Sequence, residues 1–272
     1  MIELFAIAAL AGEPPGDAAV GERLAGLAGC PACHTAPAGV PFAGGYPIET
    51  KFGTFYGTNL TPDARTGLGA WTYGDFARAM REGEAPEGHG YWPAFPYPSF
   101  RRASDEDLGH LWAYLRGLPA VQRENTPHAL QGYGAVQRWL WRTLIWQPEK
   151  DPPLPEDPVL HRGAELVEGL GHCGECHTPR TRWGRLDPKR PLAGSREPPE
   201  PAPNLTSGSG AGGWGHEDWL LFLETGMTPE GDVVGGEMAR VVDHGTARLM
   251  DADREAMAAW LVVATRAASA AK

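Results

Sequence analysis

Cys30-Pro31-Ala32-Cys33-His34 returns in the second half of the chain as Cys173-Gly174-Glu175-Cys176-His177, and the two pentapeptides use every cysteine among 272 residues. The spacing is the one that fastens a c-type haem. Two thiols meet two vinyl groups on one porphyrin edge, and the next residue is an imidazole able to swing to the iron. One turn of helix satisfies all three demands. A four-cysteine zinc site or two disulfides would leave the histidine after each second cysteine without a purpose. The expected cofactors are therefore two covalently bound haem c groups. Cys30, Cys33, Cys173 and Cys176 are the attachment points, and His34 and His177 are the proximal iron ligands.

Around these motifs the two halves repeat in order. The first half runs from the motif to Asn59-Leu60-Thr61, Gly67 to Gly69, Trp71, a helix from Phe76 to Arg81, Pro86-Glu87-Gly88 and a helix from Asp105 to Leu115. The second runs to Asn204-Leu205-Thr206, Gly210 to Gly213, Trp214, a helix from Trp219 to Glu224, Pro229-Glu230-Gly231 and a helix from Asp251 to Leu261. Acidic first turns suit both final helices, whose Leu108, Leu111, Trp112 and Leu115, or Met257, Trp260 and Leu261, recur at core-facing helical spacing. Helix, loop and helix about such a motif resemble class I cytochrome c. The implied fold is all-α, with two tandem class I domains, each wrapped around one haem c and joined by a Pro-rich linker. The expected boundaries are an N-terminal segment 1–15, domain 1 over 16–120, a Trp/Pro-rich linker over 121–157 and domain 2 over 158–268. In the linker Pro148, Pro152, Pro153, Pro155 and Pro158 suggest a stiff extended run. The stretch from Gln137 to Trp146 holds Trp139, Trp141 and Trp146. It is expected to pack between the domains, with docking to a partner or a membrane surface as the alternative. Trp139 and Trp146, seven apart, would share a helix face.

A formal charge of -10 argues against nucleic acid or an anionic membrane surface as the partner and favours basic patches on a redox protein. The apolar run from Ile2 to Ala11 reads as a clipped signal-peptide core ending in Ala9-Leu10-Ala11, which points to export to the periplasm; a first helix packed on domain 1 is the alternative. No stretch reaches the roughly 20 apolar residues of a spanning helix, so direct membrane spanning is not expected.

The sixth ligands differ between the halves. Aligned at Pro-Glu-Gly, Met238 falls opposite Phe95. A loop methionine before the last helix is where a class I cytochrome presents its thioether, which makes Met238 the candidate on haem 2 and Met227 and Met250 weaker ones. For haem 1 three possibilities stand: Met80 reaching from the helix, His89 from the loop, or an open iron shielded by Phe95. Trp71 and Trp214 are placed to donate an indole N–H to a haem propionate, and Arg180 or Arg182 to neutralise one unless they lie on the surface. Each proximal imidazole needs an acceptor for its other N–H, expected near Pro37 or Pro179.

Tyr56 to Asp63, Thr66 to Trp71, Tyr91 to Phe100, and Gly169 to Arg180 resemble the cytochrome c subunits of bacterial alcohol, gluconate and related dehydrogenases, over about Gly16 to Val263. The resemblance implies outer-sphere electron transfer between a dehydrogenase-type donor and a respiratory acceptor. Some members carry a methionine where Phe95 stands. A haem enzyme or ligand sensor, built on an open or weakly ligated haem 1, is the alternative.

Overall fold

A computed structural model describes residues 14–146, 152–196, 201–206 and 210–270. The apolar run from Ile2 to Ala11 and Pro148 lie outside the described residues. In the first half come α1 (Ala18–Leu27), α2 (Cys30–His34), α3 (Tyr73–Glu82), α4 (Tyr97–Phe100) and α5 (Asp105–Gly117). Next stands α6 (Ala135–Leu140), continued by a π turn at Trp141–Ile145. The second half holds α7 (Pro158–Ala164) with a π turn at Glu165–Leu170, then α8 (Gly174–His177), α9 (His216–Thr225), α10 (Gly236–His244) and α11 (Asp251–Ala270).

Matching side chains start matching helices. The Asp17 carboxylate accepts from the N–H groups of Ala19 and Val20 at the head of α1, and Asp157 accepts from Val159 and Leu160 at the head of α7. Asp75 accepts from the Thr72 N–H before α3, and Asp218 accepts from the Gly215 N–H before α9. Each half then crosses its first helix against its last at a glycine. A Cβ at Gly21 would stand 2.0 Å from the His110 carbonyl oxygen, and one at Gly163 2.1 Å from that of Ala256. Gly21 precedes Cys30 by nine residues, whereas Gly163 precedes Cys173 by ten. The π turn takes up the extra residue, through the Gly171 N–H to Leu166 carbonyl bond of 2.6 Å, so both motifs leave their crossings in the same register.

The all-α expectation is corrected by a small antiparallel sheet, ordered β1 (Pro47–Thr50), β2 (Gly53–Tyr56) and β3 (Ala129–Leu130). Its third strand comes from the segment expected to be an extended linker. Residues 121–130 instead fold back on the first half, because the Asn59 to Thr66 loop offers partners for their main chain. Val121 N–H donates to the Thr61 hydroxyl at 3.1 Å, Arg123 N–H to the Thr66 hydroxyl at 3.0 Å, and the Asn125 side chain accepts from Asn59 N–H at 2.7 Å. Trp139 and Trp146 do not share a face: Trp139 is 61% exposed, while Trp146 lies edge-on to Tyr97 at 4.9 Å. The π turn between them adds a residue to the turn and rotates the register.

Contacts between the halves are reciprocal. The end of α1 packs on α10 and the turn at Thr246–Arg248, and the π turn after α7 packs on α4. A Cβ at Gly26 would stand 2.1 Å from the His244 carbonyl oxygen; Gly169, also four residues ahead of its motif, faces Arg102 and Ala103. Arg162 of α7 joins Asp107 of α5 at 2.5 Å and Asp253 of α11 at 2.8 Å. Leu24, Leu108, Leu111 and Trp112 share one buried cluster with Leu166, Leu170, Met257 and Leu261.

His128 secures the returning segment by accepting the Tyr56 N–H on Nδ1 at 3.2 Å, its ring edge-on to Phe55. Burial, then the Arg138 charge, hold its pKa below the ordinary histidine value. The unfolded chain takes up the proton first as pH falls through about 6.5, so this contribution to stability is full at neutral pH and is lost on acidification. The denaturation midpoint of His128→Asn should accordingly vary less between pH 7 and pH 5 than that of the parent protein; identical pH profiles would contradict this role.

Candidate functional site

Both motif helices end on a histidine whose ring is held the same way. His34 Nδ1 lies 2.7 Å from the Thr58 carbonyl oxygen and His177 Nδ1 lies 3.0 Å from that of Pro203. A carbonyl only accepts, so Nδ1 carries the proton and Nε2 keeps its lone pair free on the far side of the ring. Burial lowers the pKa of both imidazoles and outweighs the opposing effect of the carbonyl bond, which keeps them neutral. Thr58 and Pro203 immediately precede the two Asn-Leu-Thr triplets, not the prolines after the motifs. The expected acceptors near Pro37 and Pro179 are thereby corrected. The triplets reach the rings because the loop after each motif doubles back on them.

Five matching hydrogen bonds build that loop. The His34 carbonyl accepts from Gly44 and the His177 carbonyl from Gly194, both at 2.7 Å. Leu60 N–H donates to the Phe42 carbonyl at 2.8 Å and Leu205 N–H to that of Leu192 at 2.9 Å. The hydroxyls of Thr35 and Thr178 accept from the N–H groups of Phe42 and Leu192, residues held at φ 60° and 55°. Left-handed backbone at a branched or aromatic residue costs on the order of 1–3 kcal/mol and persists where surrounding contacts enforce it. Asn59 and Asn204 each accept the N–H and the hydroxyl of the threonine two residues on. Asn59, almost fully buried, also donates to the Thr66 hydroxyl at 3.1 Å and the Val121 carbonyl at 2.7 Å.

The four cysteines are unpaired, and among the described residues no three histidine, cysteine or acidic side chains gather as a metal-holding group. A four-cysteine zinc cluster is thus not assembled. Burial pushes the thiols of Cys30 and Cys173 up to about 12. Burial, then Glu237, raise Cys33; burial, then Glu175, with Glu237 adding to it, raise Cys176. The head of α10 therefore lies within electrostatic reach of both motifs.

Met238 stands in the first turn of α10, not on a loop, half-buried against the core. Met80 is buried on α3 in the cluster that holds Phe76 and Trp112. Phe95 packs edge-on to Tyr91 at 5.8 Å and Phe100 at 5.6 Å. His89 is 52% exposed beside Glu87. Met227 is exposed, and the Met250 sulfur accepts from Arg23 at 2.9 Å, a bond between the halves.

Trp71 and Trp214 close equivalent turns by donating their main-chain N–H to Leu68 and Ala211. The Trp214 indole N–H is buried without a protein partner, its ring edge-on to Trp219 and tilted against Phe222. A buried donor so placed fits a bound group that brings an acceptor, such as a haem propionate. Arg180 does not fill that role in this arrangement: it pairs with Glu175 and donates to the Gly184 carbonyl. Arg182 lies over the Trp183 ring. The Thr58 and Pro203 carbonyls and the Asn59 brace were missed at the level of sequence, although a triplet repeated in both halves without other chemistry was the signal for them.

No protein-family model matches the chain. It is 40% identical to a dihaem c-type cytochrome of Cereibacter sphaeroides, over 90% of this chain and 85% of that protein. It is 41% identical to the gluconate 2-dehydrogenase cytochrome c subunit of Pantoea cypripedii, over 94% of this chain and 62% of the relative. To the cytochrome c subunit of alcohol dehydrogenase (quinone) from Gluconobacter oxydans it is 38% identical, over 89% of this chain and 53% of the relative. The chain thus spans little more than half the length of these dehydrogenase subunits.

Asn59→Ala removes the brace that positions the Thr58 carbonyl and strands the Thr61 and Val121 groups. It should lower stability by about 2–4 kcal/mol and shift the potential of one haem only. A thermal melt and redox titration that match the parent protein would show that the brace does not orient His34.

Proposed function

Because the chain belongs to the dihaem c-type cytochromes, we propose that it is a periplasmic electron carrier that takes electrons from a dehydrogenase and delivers them to a respiratory acceptor. It holds two covalent haem c groups. In this reading residues 16–120 and 158–268 form two class I cytochrome c domains, with the stretch between them partly absorbed into the first. Cys30 and Cys33 anchor one haem, Cys173 and Cys176 the other, and His34 and His177 are the proximal ligands. The supporting observation is the pair of neutral imidazoles, one buried and one partly buried, each with Nδ1 tied to a main-chain carbonyl and Nε2 left as the donor atom.

The haem supplies a one-electron couple; the chain sets its potential, its packing and its access to solvent. A carbonyl acceptor on Nδ1–H makes the imidazole a stronger donor and fixes its plane. Met238, in the first turn of α10 and packed against the core, would supply a thioether to haem 2. Met80, buried on α3, would supply one to haem 1. Its burial beside the aromatic wall supports it over His89, which is half exposed and faces Glu87. Trp214, whose indole N–H is unpartnered, would donate to a propionate of haem 2, and Trp71 would hold the matching position at haem 1. The buried cluster that holds Phe76, Trp112, Trp219 and Phe222 would keep water from the irons, and a shielded couple with two protein ligands would favour outer-sphere transfer over chemistry at the metal.

Homologues that are subunits of gluconate and quinone-linked alcohol dehydrogenases support a dehydrogenase as donor. Met238→Ala and Met80→Ala should each remove the methionine-to-iron charge-transfer band of one haem and open that haem to carbon monoxide, while the reduced parent protein binds none. Rapid stoichiometric binding of carbon monoxide by the parent protein would favour the rival enzyme or sensor, with Phe95 over an open iron. Unchanged spectra in both variants would overturn the ligand assignment.

A further inference from the structure

The helix at Ala135–Leu140 and its π-turn extension leave much of their apolar surface exposed while drawing an arginine inward. A helix lying on a protein surface ordinarily buries its apolar side chains and turns its charges to water. Here Arg142 is drawn inward, donating to the Gly83 carbonyl at 2.9 Å and lying over the rings of Tyr97 and Trp146, both at 5.4 Å. Arg138 lies over the Trp92 ring at 6.0 Å. Four apolar residues face out, Val136 64% exposed, Trp139 61%, Leu140 40% and Leu144 62%, while Trp141, Ile145 and Trp146 are partly covered. Trp183 of the second half, 57% exposed, extends this surface, since its carbonyl accepts the Trp141 indole N–H at 3.1 Å. A groove lies between Leu144 and Trp183, edged by Arg185, Asp187 and Lys189.

An apolar patch of this kind marks a binding surface. Its surroundings say which kind. Arg182, Arg185 and Lys189 rim it, Asp187 is engaged by Arg190 at 2.8 Å, and residues 135–146 carry no acid. The chain as a whole is strongly acidic, but charges farther away than the screening length of about 8 Å at physiological salt contribute little to what this face presents. Outward aliphatic residues, two exposed indoles and a basic rim are the combination that settles into the headgroup layer of an anionic bilayer. No helix among the described residues is long and apolar enough to cross a membrane, so contact here would be with one leaflet only.

We propose that the face formed by Val136, Trp139, Leu140, Leu144 and Trp183 docks this cytochrome on the surface of an anionic phospholipid bilayer. The aliphatic side chains and indoles enter the headgroup layer and the basic rim meets lipid phosphate. This surface carries none of the residues assigned to the haems, so its role can fail while the redox reading stands.

The test is co-sedimentation of the haem-loaded protein with phosphatidylglycerol vesicles and with phosphatidylcholine vesicles, at low and high salt. The parent protein should bind the anionic vesicles, release them as salt rises and bind the zwitterionic ones at least about tenfold more weakly. Trp139→Ser combined with Leu144→Ser, both on the exposed ridge, should lower binding to anionic vesicles about tenfold or more with an unchanged haem spectrum. Leu221→Ser, an exposed apolar residue on α9, serves as the control for general loss of hydrophobic surface and should leave binding unchanged. No binding to anionic vesicles, equal loss in the control, or binding indifferent to the double variant would overturn the proposal. Self-association abolished by the double variant would overturn it in favour of a second copy of the chain. Failure of the double variant to accept electrons from a dehydrogenase, without vesicle binding by the parent, would overturn it in favour of a protein partner.

Discussion

Each half of this molecule is organised around one hydrogen bond, from an imidazole Nδ1–H to a main-chain carbonyl. An iron ligand must present its Nε2 lone pair at a fixed angle, and a histidine at the end of a one-turn helix has no rigidity of its own. The loop that follows each motif supplies it by doubling back through Phe42 or Leu192, strained into the left-handed region, to bring Thr58 or Pro203 behind the ring. The strain is tolerated because a threonine hydroxyl, a motif carbonyl and an Asn-Leu-Thr triplet all close on the same loop. The backbone is bent to serve one proton.

The halves share this device but differ where redox behaviour is set. Asn59 is tied to Thr66 and to the returning chain at Val121, which gives the first site a second layer of bracing. The second site has a longer loop between His177 and Leu192, an ion pair between Glu175 and Arg180, and a methionine on α10 where the first half has Phe95. Potentials follow axial ligand, burial and local hydrogen bonding, so two sites built on one plan need not be equal. The reciprocal packing of each pre-motif helix on the other half brings the residues just ahead of the two motifs together: a Cβ on Gly29 would be 3.8 Å from His172 Cε1. Arg162, Asp107 and Asp253 clamp the same junction.

Much of this was legible in the sequence, for identifiable reasons. The motifs, the order of the repeat and the core stripes of the final helices follow from local spacing, and Leu108, Leu111 and Met257 are buried as their periodicity required. What escaped depended on long-range partners. The main-chain groups of residues 121–130 look free until Asn59, Thr61 and Thr66 are seen to bind them, so a proline-bearing stretch read as an extended linker contributes a strand. Trp139 and Trp146 were separated by a π turn, which no hydrophobic pattern announces. The carbonyls of Thr58 and Pro203 carry no side-chain signature, and only the repetition of the triplet after them marked the place.

Denaturing mass spectrometry of the protein from a host that matures c-type cytochromes, alongside Cys173→Ser/Cys176→Ser, addresses the central claim most directly. The account requires the mass of the chain plus two haems for the parent and plus one haem, held by Cys30 and Cys33, for the double variant. A parent protein with the mass of the bare chain, or a variant that keeps both groups, would contradict it.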